Sequence, residues 1–491
     1  MRSVLKRLLF VLCGGLMIVV SVVLIKTLRF TSRQLEVDPQ PRVAIDGEKI
    51  AEHLSKAIQF RTISYGDTGQ FDGKEFSSFH RYLEQRFPKV HSTLIKEVVG
   101  GYSLLYTWKG QTGGTKPILL MGHMDVVPVE PGTEDKWTHP PFAGRIADGY
   151  IWGRGTIDNK VSVVGILQAV ELLLAKGFHS SRTIYLAFGH DEEVGGSQGA
   201  ANIARLLRSR GVELEYILDE GGAITYGIVP GVSAPVALIG IAEKGYLSIE
   251  LTVHSQGGHS SMPPQHTAIG ILSTAIQNLE RNQFPAEITG ATGKLFAYLG
   301  PEMPLTERIV FANLWLFGWL VERQLVASSL TNALVRTTTA ATMFESGVKE
   351  NVLPTQARAV INFRILPGES VQSVIDHVRK TIGDPRITIT PLKKVRSEPS
   401  AVSATESSSF ENLHRTIRQI FPDAIVAPWL VVGATDSRHY ARLSDKIYRF
   451  VPIQMRPEDT RRFHGTNERI SVENYENCIR FFMQLIRNSH S

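Results

Sequence analysis

From about residue 44 onward, short apolar runs alternate with stretches whose apolar residues recur every three or four positions. An unbroken apolar run bounded by turn residues reads as a buried strand, and the wider spacing is that of a helix. Residues 117–122 (PILLMG), 182–189 (RTIYLAFG) and 214–218 are therefore predicted strands. Residues 159–176, closed by Gly177, and 196–210, closed by Gly211, are predicted helices, each ending on a favoured C-terminal residue. This alternation predicts an α/β fold with a largely parallel central sheet. Near Lys244 the pattern changes. Residues 246–254 (YLSIELTVH) alternate with a period of two, as in a half-exposed strand, and residues 358–366 and 386–390 do the same. Helical patterns lie at 267–282 and 371–382. A smaller α+β domain is thus expected at 245–392, inserted between catalytic parts at 45–244 and 393–491, the latter ending in a helix at 472–487.

The first 33 residues differ from the rest. Residues 8–25 form an 18-residue run of apolar, Gly, Ser or Cys residues, long enough to span a bilayer as a helix. No small-residue A-x-A site follows, so an uncleaved N-terminal transmembrane anchor is preferred over a cleaved signal. The rest of the chain is then placed on the exported side, periplasmic, extracellular or lumenal. Residues 34–44 are polar and proline-containing, a linker in composition.

The net charge is +6, and Arg2, Lys6, Arg7, Lys26, Arg29 and Arg33 supply all of it, with no acid before residue 34. The remainder is balanced, so the basic character belongs to a membrane flank and argues against a nucleic-acid partner. The two cysteines, Cys13 and Cys478, allow neither a disulfide framework nor a thiolate zinc site.

The predicted strands run into histidine and acids: His123-Met124-Asp125, His190-Asp191-Glu192-Glu193 and Asp219-Glu220. A fourth cluster, Gly153 to Lys160 (GRGTIDNK), opens a predicted helix. Singly, each has a bland reading, because acids after strands often cap helices and a histidine there is usually a hydrogen-bonded structural residue. Together they converge, since the carboxyl ends of parallel strands gather at one edge of the sheet. Clustered carboxylates repel, and a dication offsets that repulsion. Imidazole and carboxylate donors without thiolate favour zinc, with cobalt or manganese as substitutes. The helical H-E-x-x-H protease motif is absent.

In this arrangement the sequence resembles the zinc metallopeptidases that include aminoacylase, carboxypeptidase S and succinyl-diaminopimelate desuccinylase. The matching stretches are GHMDVVP (122–128), GRGTIDNK (153–160), GHDEEVGG (189–196), LDEGG (218–222), GGHSSMPP (257–264), NVLP (351–354), NFRILPG (362–368) and FHGTNERIS (463–471). The resemblance covers about residues 45–488 and is nearest to the carboxypeptidase S branch and to enzymes that form and hydrolyse N-fatty-acyl amino acids. It implies a zinc-peptidase catalytic domain with an inserted lid domain through which family members often dimerise. It implies two zinc ions: His123 and Asp219 on one, Glu193 and His464 on the other, Asp158 bridging. Asp125 would orient His123, and Glu192 would be the general base. His259 would stabilise the oxyanion, and Asn351 and Arg364 would anchor substrate, all three brought in by closure of the inserted domain. The bond between Asp158 and Asn159 would be cis.

Two departures stand out. Val161 follows Lys160 where many relatives have glycine, and the inserted domain carries a long segment, 287–330. Its stretch 309–320 (IVFANLWLFGWL) reads either as a packed core helix or as a lipid-facing or acyl-binding surface. The expected activity is hydrolysis, and also synthesis, of N-acyl amino acid amide bonds. A membrane-anchored carboxypeptidase or dipeptidase is the alternative. An inactive binding protein would lack a ligand or the base, and none is missing.

Overall fold

The computed structural model describes residues 2–66, 68–392 and 396–490. The boundary expected at 392/393 abuts residues 393–395, which lie outside the described residues. The elements that position the site are, in chain order, α1 (Arg2–Arg29), β1 (Ile95–Val99), β2 (Ser103–Trp108), β3 (Ile118–His123), α2 (Lys160–Ala175), β4 (Ile184–Gly189), α3 (Ala200–Ser209), β5 (Ile217–Asp219), β6 (Ile224–Thr225) and β7 (Val236–Glu243). There follow β8 (Gly245–His254), β9 (Gly258–His259), α4 (Ala268–Arg281), α5 (Gly290–Leu299), α6 (Leu305–Ala312), α7 (Leu314–Leu325), α8 (Ser329–Val335), β10 (Thr338–Ser346), β11 (Val352–Leu353) and β12 (Gln356–Ile365). The chain closes with α9 (Val371–Ile382), β13 (Ile387–Pro391), α10 (Ser408–Ile420), β14 (Ile425–Val431), β15 (Ile447–Arg449), β16 (Gln454–Met455) and α11 (Val472–Asn488).

The large sheet runs β1-β2-β4-β3-β5-β15-β7-β6-β16, with β14 beside β7. The pairs β4–β3, β3–β5, β5–β15, β7–β14 and β6–β16 are parallel; β1–β2 and β2–β4 at one edge, and β15–β7 and β7–β6 toward the other, are antiparallel. The sheet is therefore mixed but largely parallel. Its centre is apolar on both faces: all six residues of β3 are buried, as are 12 of the 16 residues of α2. A helix apolar all round belongs between layers, and α2 is packed against β3 on one side and α11 on the other. Val161, the departure from the family pattern, is fully buried in that seam.

The second sheet runs β10-β12-β8-β13, all antiparallel, and has its own apolar core with α4 and α9. The predicted strands and helices of this unit fall within two residues of those observed. The long segment does not belong to this core. Ala291, Leu295, Tyr298, Leu299, Leu334 and Val335 join the core of the large sheet, and α5 packs against β14. Thus residues 285–336, expected inside one inserted domain, return to the first unit and interrupt the block.

Residues 34–44 also depart from a free spacer. Gln34 bonds Val426 in both directions, Oε1 accepting its N–H at 2.8 Å and Nε2 donating to its carbonyl at 3.0 Å. The Leu35 N–H donates to His414 Nε2, and the Gln40 N–H to the Gln419 carbonyl. Among the described residues, one helix, α1, is long and apolar enough to cross a membrane.

Candidate metal centre

Three adjacent parallel strands, β4, β3 and β5, deliver their carboxyl ends to one edge. His123 is the last residue of β3, Glu192 and Glu193 follow β4, and Glu220 follows β5. His123 Nε2 lies 3.0 Å from Asp158 Oδ1 and 3.2 Å from Glu220 Oε1. His464 Nε2 lies 3.0 Å from Asp158 Oδ2 and 3.2 Å from Glu193 Oε2. Asp158 therefore gives one oxygen to each of two triads, His123–Asp158–Glu220 and Asp158–Glu193–His464, each with the donor spacing of a cation site. Glu193 Oε1 is buried without a hydrogen-bond partner, an atom that a cation would satisfy.

One expected ligand, Asp219, lies outside both triads in this geometry. Glu220, and not Asp219, stands beside His123. Successive side chains at a strand end point to opposite sides, so only one of two neighbouring acids can face the cluster. Asp219 turns away and accepts the Ser437 N–H at 2.8 Å. Burial, and then the neighbouring Glu220 charge, push its carboxyl up to about 7.

Asp125 is fully buried and does two things. It lies 3.4 Å from His123 Nδ1, and its two oxygens accept the N–H groups of Glu192 and Glu193 at 3.2 and 3.1 Å. The closer partner of His123 Nδ1 is the Asp125 carbonyl, at 2.9 Å. One residue thus orients a histidine and sets the turn that presents both glutamates. Gly196 ends that turn at φ +67, where an added Cβ would collide with Asp436.

Two further residues, in the quoted stretches but without an assigned role, tie the cluster together. Glu468 Oε1 accepts the N–H groups of Gly155, Ile157 and Asp158, at 3.0, 2.7 and 3.2 Å. Its other oxygen takes Arg154 Nη1 at 2.8 Å, and Arg154 Nη2 donates to the carbonyls of His464 and Gly465. Both side chains are buried. This clamp fixes the Asp158 loop against the His464 loop although the two are about 300 residues apart in sequence. The Asp158–Asn159 bond is cis, as the resemblance implies. Lys160, by contrast, points away, donating to the carbonyls of Ala57 and Phe60.

The electrostatics are those of carboxylates held by imidazoles. Burial alone would raise the Asp158 carboxyl, but His123 and His464 hold it well below the usual range. Hydrogen bonds donated to the Asp158 and Glu193 carboxylates push His464 up to about 10. Burial, with Asp158 nearby, pushes Glu193 up to about 7. Burial drives Glu192 well above the ordinary carboxyl range, aided by Glu220, Asp436 and Glu193 and opposed by His123.

The residues expected from the second unit are spread out. His259 is exposed on the two-residue pairing of β9 with β11, its Nδ1 facing the Ser261 hydroxyl at 2.8 Å. Asn351 is exposed, its carbonyl accepting the Ser260 N–H at 3.2 Å. Arg364 is half-buried on β12, with its guanidinium 4.7 Å from the Tyr246 ring. Burial lowers its pKa, and so does the nearby charge of Arg438, which itself donates to the Gly195 carbonyl beside the glutamate turn. A cavity of about 790 Å³ behind the Asp158 loop, reached by Arg456 and Arg469, contains none of the candidate ligands.

A parallel-sheet edge that gathers two histidines and three carboxylates, with a fourth carboxylate, Glu192, beside them, defines a metallohydrolase of the peptidase type. The chain belongs to Peptidase family M20/M25/M40, whose model matches residues 119–488. It is 46% identical over 475 residues to the probable carboxypeptidase S-like 2 of Dictyostelium discoideum, covering 95% of this chain and 91% of that protein. It is 43% identical over 445 residues to an N-fatty-acyl-amino acid synthase/hydrolase of Danio rerio, covering 90% and 86%. The fold matches that of an M20 family metallo-carboxypeptidase from Sulfolobus solfataricus with a TM-score of 0.64 at 19% identity, covering 91% of this chain and all of that one. The chain is accordingly an M20 metallopeptidase, on the branch that joins carboxypeptidase S-like proteins to N-fatty-acyl-amino acid synthase/hydrolases.

Proposed function

We propose that the chain is a two-metal amidohydrolase that cleaves, and in reverse forms, the amide bond of N-acyl amino acids. The observation that carries this reading is the pair of triads sharing Asp158, with Glu192 left over beside them. His123, Glu220 and Asp158 would hold one ion, and Asp158, Glu193 and His464 the other. When bound, two zinc ions, or cobalt or manganese in their place, supply Lewis acidity for the carbonyl and a lowered pKa for the attacking water. Glu192, basic because it is buried, takes a proton from that water as the C–O bond forms. It then hands the proton to the departing nitrogen as the C–N bond breaks, leaving a carboxylic acid and a free amine. The reverse order joins the same two products. Arg364 offers a planar fork to the free carboxylate of the amino acid. His259 and Asn351 act once the second unit closes over the cluster.

The relatives named for N-fatty-acyl-amino acid chemistry favour an acyl substrate, and the carboxypeptidase S-like relative favours a second reading, a carboxypeptidase acting on peptides. The deciding measurement is kcat/KM on one amino acid across N-acyl chains from acetyl to oleoyl, beside a dipeptide panel, below micelle-forming concentrations. Rising values with chain length support the acyl reading. A flat profile, or preference for dipeptides, moves the protein to the carboxypeptidases. The α1 helix is read as a retained anchor with the body on the exported side. Mass spectrometry of the membrane-extracted chain should find residues 8–25 still attached. The exposed edge strand β10, which shows Met343 and Phe344 to solvent, is where a second copy would pair.

A further inference from the structure

The hairpin of α6 and α7 leaves an apolar surface uncovered. Within the two helices only Val321 is buried. Trp315 is 51% exposed, Trp319 66%, Leu320 44% and Leu305 68%. Trp315 and Trp319 are one turn apart and share a helix face. A helix on an aqueous surface turns such residues inward, so a cluster of this kind facing outward marks a contact with something apolar.

The position of the hairpin says what that is. Asn313, fully buried between the two helices, donates Nδ2 to the Val23 carbonyl at 3.3 Å and to Thr27 Oγ1 at 3.2 Å. Its Oδ1 accepts Trp315 Nε1 at 3.1 Å, and the Lys26 ammonium sits 5.6 Å from the Trp315 ring. The Phe30 ring packs on Gly300, leaving no room there for a Cβ. The hairpin and the turn before it therefore hold the chain from Val23 to Phe30, a rise of about 10 Å. That interval holds the end of the unbroken apolar run, Leu24 and Ile25, and the basic residues that follow it, Lys26 and Arg29. With α1 across a bilayer, this is the boundary between acyl chains and headgroups, the level at which tryptophan concentrates. The Gln34–Val426 bonds hold the next turn of chain to the body, so the hairpin's height is fixed.

We infer that the α6–α7 hairpin is a second membrane contact, lying in the interface with Trp315, Trp319, Leu320 and Leu305 dipped among the lipids. The occupant of the uncovered face is the bilayer surface. The inference rests on the proposed retention of α1 as an anchor. Its consequence is a catalytic body seated on the membrane at a fixed height instead of swinging on a tether.

The test uses the full chain in phosphatidylcholine liposomes, with and without bromine on the upper acyl carbons as a contact quencher. None of the six tryptophans lies in α1, and Trp108, Trp137 and Trp152 are buried, so quenching reads the hairpin and not the anchor. The expected result is a loss of up to about a third of the emission, two tryptophans of six, in brominated liposomes. The Trp315→Phe/Trp319→Phe variant should lose that response. Equal emission in brominated and plain liposomes, with the protein floating with the lipid, overturns the seat while leaving the anchor standing; a second copy covering the face would give this result. Protein that does not float with the liposomes overturns the anchor and the seat with it. The wild-type comparison decides even if the double variant fails to fold.

Discussion

At the edge of the large sheet, His123, Asp125 and Glu468 are buried, and every one of them is bonded to another part of the cluster. At the β9–β11 ribbon, His259 and Asn351 stand in solvent: His259 bonds Ser261 of its own turn, and the Asn351 carbonyl accepts the Ser260 N–H across the ribbon. The first region is organised before any substrate arrives, because buried polar groups are costly unless satisfied. The second carries little burial to hold it and is free to move at small cost. In the proposed reading the metal ligands gather at the organised edge, and substrate recognition falls to the exposed ribbon and its neighbours.

The sharpest way to break that comparison is within the glutamate turn. Glu192→Gln should lower kcat by about 10²–10⁴-fold, the range for a lost general base, while metal content by elemental analysis stays near wild type. Glu193→Gln should instead lower metal content. Near-normal turnover of Glu192→Gln would remove the proposed base.

Next comes the pair at the end of β5. Glu220→Ala should weaken metal binding strongly, because a ligand is gone. Asp219→Ala should leave binding largely intact and lower stability by about 1–3 kcal/mol, because the buried Ser437 N–H loses its acceptor. Metal titration and thermal melts on both variants separate the two, and the opposite pattern would restore Asp219 as the ligand.

That pair also shows where the sequence was legible and where it was not. Buried strands and the seam helix α2 were readable because unbroken apolar runs leave few alternatives, and the four clusters were readable because parallel strands bring their ends together. The choice between Asp219 and Glu220 was not, since it depends on which face of a strand end meets the cluster, a question of register set by β3 and β15. The clamp of Arg154 and Glu468 lay inside quoted stretches, but a partnership across some 300 residues leaves no local pattern. The path of residues 285–336 was hidden for a related reason: an apolar segment does not declare which of two cores it will join.

A smaller effect is expected in the second unit. Arg364→Lys should raise KM by about 10–100-fold, as expected for replacing a charge-assisted fork by a point charge. Metal content should not change, and a substrate whose carboxylate is amidated should show no penalty. An equal penalty on both substrates would mean that Arg364 serves β12 and the Tyr246 ring instead of the carboxylate.

The last and smallest effect concerns acid. His80 and His414 are both buried in the first unit. Burial and the positive charge of Lys96 lower His80 to about 4; burial, with Arg418 and Arg415, lowers His414 to about 3. In the unfolded chain both titrate near 6.5. The unfolded state therefore binds protons first as pH falls, so this share of stability is complete above about pH 6.5 and drains away between there and the folded values. Between pH 7 and 5 the loss should be roughly 1–2 kcal/mol for each histidine. Of the second unit's histidines, His254, His259 and His266 are exposed and His377 is half-buried. Acid should therefore loosen the organised half first: hydrogen exchange at α10 should speed up at pH 5 before exchange at β8 and β12 does. His414→Gln, which keeps an acceptor for the Leu35 N–H, should flatten the stability slope between pH 7 and 5. Parallel slopes in the variant and the wild type would show that His414 has no part in the acid sensitivity.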